Sequence, residues 1–232
     1  MTLLAADGGP ACYVFTINDW ICGDYYRDRW RELWDASVEH LWITAAAVVL
    51  GLLLAIPVAL LARRLPRFEG LVLGATTIIY TVPSLAMFSL LVPFTFLTPR
   101  TVIIGLALYS LTILVRQILA GLRSVPDEVR EAAAGLGYSS LRMLARIELP
   151  LALPVIMAGL RVATVSTVAL TTVGSIVGYG GLGNLLASGV DTDFKAQILA
   201  ASVLCVLLAV VLDLGLLGVQ RVLTPWARAR SS

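Results

Sequence analysis

Five long apolar runs, at roughly 41–62, 71–94, 101–122, 151–177 and 196–219, constrain this chain more than any other feature. Each is long enough to cross a hydrocarbon core, which takes about 20 mainly apolar residues in a helix. A backbone in lipid must satisfy its own polar groups, so the runs predict an all-α, polytopic membrane protein with five transmembrane helices. Composition agrees, with 59% hydrophobic and 14% charged residues over a 232-residue chain and a mean hydropathy of +0.89. A water-soluble domain of this length needs far more polar surface. Pro57 and Pro83 fall inside runs, which spanning helices tolerate when neighbours re-satisfy the freed carbonyls.

A net charge of +2 is too small to suggest a nucleic-acid partner, but the placement of the charges is informative. Arg63, Arg64, Arg67, Arg116, Arg123, Arg130, Arg142, Arg146, Arg221, Arg228 and Arg230 fall on one set of connecting segments. The opposite set holds only Arg27, Arg29, Arg31, Arg100 and Lys195, and its N-terminal part also carries seven acidic residues. The positive-inside rule then puts the N-terminus outside the membrane and the C-terminus inside. Three regions follow: an extracytoplasmic segment 1–40, a transmembrane domain 41–223 with a cytoplasmic loop at 123–150, and a cytoplasmic tail 224–232. The first 40 residues lack a basic n-region and a continuous apolar h-region. No cleavable signal peptide is expected, and the first span serves as the insertion signal.

Within the N-terminal segment Trp30, Leu33, Trp34, Val38 and Leu41 recur at helical spacing with charges between them. They predict an amphipathic helix at the outer interface feeding the first span, its tryptophans in an interfacial belt rather than a cation-binding cage. His40, the single histidine, is expected in a solvated or capping role. Cys12 and Cys22 can pair if their segment faces an oxidising compartment, whereas Cys205 sits in an apolar run and reads as packing. No zinc-type or redox spacing is present.

The 123–150 loop carries two helix signatures joined by a break. Pro126, Asp127 and Glu128 suit a first helical turn, and Val129, Ala132, Ala133 and Leu136 make one small apolar stripe. Gly135 and Gly137 end that helix. Ser139 or Ser140 can cap a second through LRMLARIEL, which Pro150 and Pro154 lead back into the membrane. A stripe of alanines beside Glu131 permits close approach to another surface and offers one charge as an anchor.

Glu131, Ala132, Ala133, Gly137, Ile147, Leu149 and Pro150 match position for position the EAA---G---------I-LP signature of ABC-importer permeases, which this chain resembles. The resemblance implies a coupling loop that docks on a pair of cytoplasmic ATPase subunits. On that resemblance those subunits use ATP and Mg, and no cofactor or metal is expected on this chain. It also implies the five-span, type I, methionine-permease-like transmembrane domain, a second permease (another copy or a sister chain) and an extracellular solute-binding protein. Residues 80–90 (YTVPSLAMFSL), 149–161 (LPLALPVIMAGLR), 178–183 (GYGGLG) and 207–216 (LLAVVLDLGL) look like the osmoprotectant subfamily. That likeness implies uptake of glycine betaine, choline, carnitine or proline betaine across a bacterial cytoplasmic membrane. Permeases for other small zwitterions or for methionine share the loop and the core.

No Walker-type loop, nucleophile–base pair or metal set is present, so catalysis is not expected of this chain. The absence of an internal repeat, and the scarcity of ionisable groups in the runs, argue against a self-contained secondary transporter. Gly178, Gly180, Gly181 and Gly183 superficially suggest a phosphate loop, but no strand precedes them and a tight outer turn fits better. Arg161 and Asp213 are ionisable residues inside runs. They lie ~16 Å beyond Pro150 and ~12 Å before Arg221 at the ~1.5 Å helical rise, compatible depths for an ion pair. That pair is read as a structural clamp, with substrate contact as the alternative. Tyr80, Ser84, Tyr109 and Thr112 offer polar or cation–π contacts along a pathway, although packing explains each as well.

Overall fold

A computed structural model describes residues 12–14 and 17–228, and every regular element among them is helical. A short α1 (Gly23–Asp28) precedes the long α2 (Trp30–Arg64), followed by α3 (Pro66–Thr81), α4 (Ser84–Thr95) and α5 (Pro99–Arg123). Then come α6 (Asp127–Gly135), α7 (Ser140–Met143), α8 (Leu149–Thr171), α9 (Leu182–Asp191), α10 (Lys195–Leu223) and α11 (Pro225–Arg228). By length and composition α2, α5, the stretch Ser140–Val177 and α10 can each cross a membrane, and α3 with α4 makes a fifth span if that bent pair counts as one.

Three sequence expectations change. The 71–94 run is not one helix: α3 ends at Thr81 and α4 starts at Ser84. Val82 takes φ −65°, ψ 126°, the extended conformation that a following proline imposes, so Pro83 breaks the ladder where Pro57 does not. The interfacial helix and the first span are a single 35-residue helix, α2. At ~1.5 Å per residue it runs ~52 Å, well past a hydrocarbon core of ~30 Å. Finally, the second loop helix does not stand apart from the next span. After four residues of α7 a π-helical turn, Leu144–Glu148, passes directly into α8. Pro150 cannot donate to the carbonyl four residues back and its ring crowds it, and the wider turn just before relieves that conflict. Ser139 is the N-cap of α7, but its side chain makes no capping hydrogen bond.

The chain divides into two compact units. The first comprises residues through Ala47, Pro83–Leu106 and Thr167–Val211. One of its cores joins Ile43, Ala47, Phe88, Val102, Leu106 and Val177. The other joins Tyr13, Cys22, Tyr25, Leu33, Leu182, Leu185 and the alanines Ala196, Ala200 and Ala201. Cys12 and Cys22 are disulfide-bonded, and Tyr13 Oη donates to Asp28 Oδ2 at 2.8 Å. Tyr13, Tyr25 and Phe194 pack ring on ring, with Tyr25 edge-on to Phe194 at 5.2 Å between centroids. Asn18 fastens the same segment to the α9–α10 turn, donating to the Asp193 carbonyl at 2.6 Å and accepting from the Lys195 N–H at 3.0 Å. Of the predicted stripe on α2, Leu33 is buried while Trp30, Trp34, Val38 and Leu41 are exposed.

The second unit comprises Val48–Val82, Ala107–Ser166 and the chain from Leu212. Ala55, Ala59 and Ala62 of α2 lie one turn apart and pack on Leu111, Leu114, Val115, Ile118, Leu119 and Leu122 of α5, with Ala152 and Ala163 of α8. Small side chains let helices approach closely where lipid supplies no hydrophobic drive. Gly51 takes this furthest, because a Cβ there would stand 2.0 Å from Ser110 Oγ.

Candidate functional site

The site begins with how α6 is closed. Asp127 and Glu128 fill its first turn after Pro126, where negative charge meets the positive helix end. At its other end Gly137 sits at φ 79°. The Gly137 N–H donates to the Ala134 carbonyl at 2.9 Å, and the Tyr138 N–H to the Ala133 carbonyl at 3.1 Å. This pair of bonds is a Schellman stop, which needs a left-handed residue at Gly137. Ala133 is buried and Val129 and Arg130 are partly buried, whereas Glu128, Glu131, Ala132, Gly135 and Leu136 are exposed. The helix therefore turns one face to its own unit and offers a small-residue face carrying Glu131 outward. Ile147 is half-buried in the π turn, Leu149 is exposed at the start of α8, and Pro150 follows, half-buried.

Behind α6 lies a charge cluster that sequence reasoning missed. Glu148, 1% exposed, receives Arg63 Nη2 at 2.5 Å and Arg130 Nε at 2.9 Å. Arg130 also donates to Asp127 Oδ1 at 2.5 Å and to the Leu122 carbonyl at 2.6 Å. Burial favours loss of the Arg130 proton, but its hydrogen bonds to the Glu148 and Asp127 carboxylates outweigh it and hold the guanidinium above its usual range. Arg123 pairs with Glu69 beside them. Arg63, Glu69, Leu119, Leu122, Arg123 and Arg130 line a cavity of about 330 Å³. The sequence signalled Arg63 and Arg130 only as contributors to charge bias.

Elsewhere in the second unit, Arg161 and Asp213 form a two-pronged ion pair, at 2.8 and 2.7 Å. Tyr80 and Tyr109 meet edge to face at 5.9 Å, the Tyr109 hydroxyl donates to the Val82 carbonyl, and Thr112 donates to the Thr76 carbonyl at 2.6 Å. Arg116 donates to Thr77 Oγ1 at 2.7 Å. Ser84 opens α4 in the first unit, so the four candidate pathway residues are divided between units.

In the first unit the glycine-rich turn is a packed corner. Gly178 and Gly181 have φ of 82° and 54°, and a Cβ on Gly181 would press within 2.6 Å of His40. Asn184 closes the turn, accepting from the Gly180 N–H and donating to the Gly178 carbonyl, both at 3.0 Å. A Cβ on Gly183 would come within 2.2 Å of the Thr172 carbonyl. His40 is fully buried rather than solvated or capping, because α2 runs unbroken through it and packs on this corner. Its Nε2 lies 2.9 Å from the Val168 carbonyl and its Nδ1 3.2 Å from that of Gly180. Among the described residues, cysteine and acid come together only at Cys12, Cys22 and Asp24, where both sulfurs are already bonded to each other.

This architecture is that of an ABC-importer transmembrane domain. It matches an inward-facing structure of the MetNI methionine ABC transporter at TM-score 0.76 and 20% identity, over 88% of this chain and 100% of that one. An amino acid ABC transporter structure matches at TM-score 0.69 and 19% identity, over 84% of this chain and 95% of that one. Residues 35–229 match the family of binding-protein-dependent transport system inner membrane components, and the chain belongs to that family. It is 35% identical to the osmoprotectant import permease OsmW of Salmonella typhimurium, over 87% of this chain and 96% of that protein. The glycine betaine/carnitine/choline permease OpuCD of Bacillus subtilis is 35% identical, over 88% and 89%. The choline permease OpuBB of the same organism is 34% identical, over 84% and 89%. The chain is thus the multi-pass, inner-membrane permease subunit of an ABC transporter, a family that works with an ATPase and a binding protein. The disulfide-bonded segment lies before the matched region.

Proposed function

We propose that this permease imports a small quaternary-ammonium osmoprotectant: glycine betaine, choline, carnitine or proline betaine. The observation that carries this reading is likeness across nearly the whole length of permeases named for osmoprotectant, choline and glycine betaine/carnitine/choline transport. The outward face of α6, with Glu131, Ala132 and Gly137, docks on the ATPase, and Ile147, Leu149 and Pro150 continue the segment into α8. Partner ATPase subunits hydrolyse ATP with Mg, and their closure moves the helices of two permeases. Two permease names occur for one Bacillus subtilis system, OpuCB and OpuCD, which supports a sister chain as the second permease.

The N-terminus faces the outside. Charge bias supports this orientation, and so does the Cys12–Cys22 bond, since disulfides persist in oxidising compartments. The glycine-rich corner then lies on the side where a binding protein delivers solute. Tyr80, Tyr109, Thr112 and Ser84 are candidate pathway contacts, the aromatic rings suiting a quaternary cation. The test is uptake of labelled glycine betaine, choline, carnitine, proline betaine and methionine into proteoliposomes holding the complete transporter. Competition by the quaternary ammonium compounds supports the proposal. Preference for methionine favours the second reading, an amino acid importer, for which the methionine-transporter fold speaks.

A further inference from the structure

We propose that Glu148 is a positioning residue that ties the coupling helix α6 to the ends of three spanning helices, so that movement of α6 is passed into the membrane. The proposal rests on α6 being the ATPase-docking element. Among the described residues, Arg130 is the side chain of α6 that hydrogen-bonds beyond its own helix, and it reaches two different elements. One is the Leu122 carbonyl in the last turn of α5, and the other is Glu148, which ends the π turn leading into α8. Arg63, next to last in α2, grips the same carboxylate oxygen, Oε1, that Arg130 does. Arg130 lies next to Glu131 in sequence but on the inward side of α6. A load applied to the exposed face therefore meets Arg130 directly.

Two physical features make this more than a surface ion pair. A carboxylate 1% exposed cannot exchange its partners for water, so both guanidiniums are held on it. The three groups therefore move together. Glu148 is also the last residue of the π turn Leu144–Glu148, and single π turns inside helices are places where register changes and function concentrate. The linkage thus ends on the π turn that leads into α8. Arg123 and Glu69, which line the same cavity, pair with each other rather than with Glu148.

The test compares ATPase activity and uptake per assembled complex in proteoliposomes. Glu148→Gln keeps the shape and removes the charge. It should assemble with the ATPase and keep basal hydrolysis, but lose stimulation by the loaded binding protein, and uptake, by about tenfold or more. Glu148→Asp should recover part of the stimulation. If Glu148→Gln does not assemble, Arg130→Lys serves instead, since it keeps the charge but cannot span Glu148 and Leu122 together, and it should lose stimulation in the same way. Wild-type stimulation per complex in the assembled variant, or losses that only track the amount of complex, overturn the proposal. Glu131→Lys is the separate control: if it still binds the ATPase and transports, the docking role of α6 fails, whatever Glu148 does.

Discussion

Arg161 and Asp213, 52 residues apart in sequence, meet head to head, Nε on Oδ1 and Nη2 on Oδ2, joining α8 to α10. Both are ionisable residues in membrane-spanning helices, where such groups pair with one another. Reversing either charge alone should sharply reduce recovery of folded permease, and Arg161→Asp with Asp213→Arg should restore most of it. Size-exclusion yield in detergent reads the effect; independent, additive losses contradict the clamp.

Tyr25 is fully buried, and its hydroxyl finds no hydrogen-bond partner. A buried polar group left unmatched costs about 1–3 kcal/mol, so Tyr25→Phe should leave Tm unchanged or raise it. Burial, then the nearby Glu32 charge, pushes the Tyr25 pKa up to about 12. Its contribution to stability is therefore constant below the ordinary tyrosine value of ~10 and is lost as pH rises from there toward about 12. Melting against pH should show this alkaline decline for the wild type and a shallower one for Tyr25→Phe. A lower Tm in the phenylalanine variant contradicts the reading.

The disulfide closes a loop with a sequence separation of 10. Removing such a constraint costs about 2–4 kcal/mol in the segment it staples. Cys12→Ser with Cys22→Ser should therefore loosen the contacts of Asn18 and Tyr13 with the α9–α10 turn, seen as faster proteolysis or hydrogen exchange there. In whole cells, an impermeant reductant followed by an impermeant maleimide should label the wild-type cysteines. Labelling only after membrane disruption contradicts an outside N-terminus.

Gly137 and Gly183 separate two reasons for glycine. A Cβ on Gly137 meets nothing within 4 Å, so its φ of 79° is the constraint. Gly137→Asn should be mild and Gly137→Ala should cost about 1–2 kcal/mol in closure of α6, with Gly137→Val worse. Gly183→Ala drives a methyl into backbone and should cost about 1–3 kcal/mol or more of stability, read as a lowered Tm, whatever the effect on transport. Equal tolerance of asparagine and valine at Gly137 contradicts the Schellman assignment.

The residues that could be read from the sequence are those whose signal is local. Span length announces itself in an apolar run, and the stop at Gly137 lies in the spacing of two glycines. The Val82–Pro83 break has a local signal too, a residue forced out of the helical region by the next proline. It was hidden because Pro57 sits in just such a run and leaves α2 intact. Glu148 was illegible for a different reason. Arg63 is 85 residues away and Arg130 is 18, so nothing short of the folded unit brings them together. His40 reads as solvated or capping because it follows the amphipathic stripe expected at the interface, and only the packed glycine corner reveals that its own side is buried.

The central claim is tested most directly by ATP-dependent uptake of labelled glycine betaine into proteoliposomes containing this chain, the second permease it assembles with, the ATPase and the binding protein. Uptake that requires ATP and all four components, and is lost in Glu131→Lys together with ATPase co-purification, is the predicted result. Uptake that persists without the ATPase, or is unaffected by Glu131→Lys, contradicts the account.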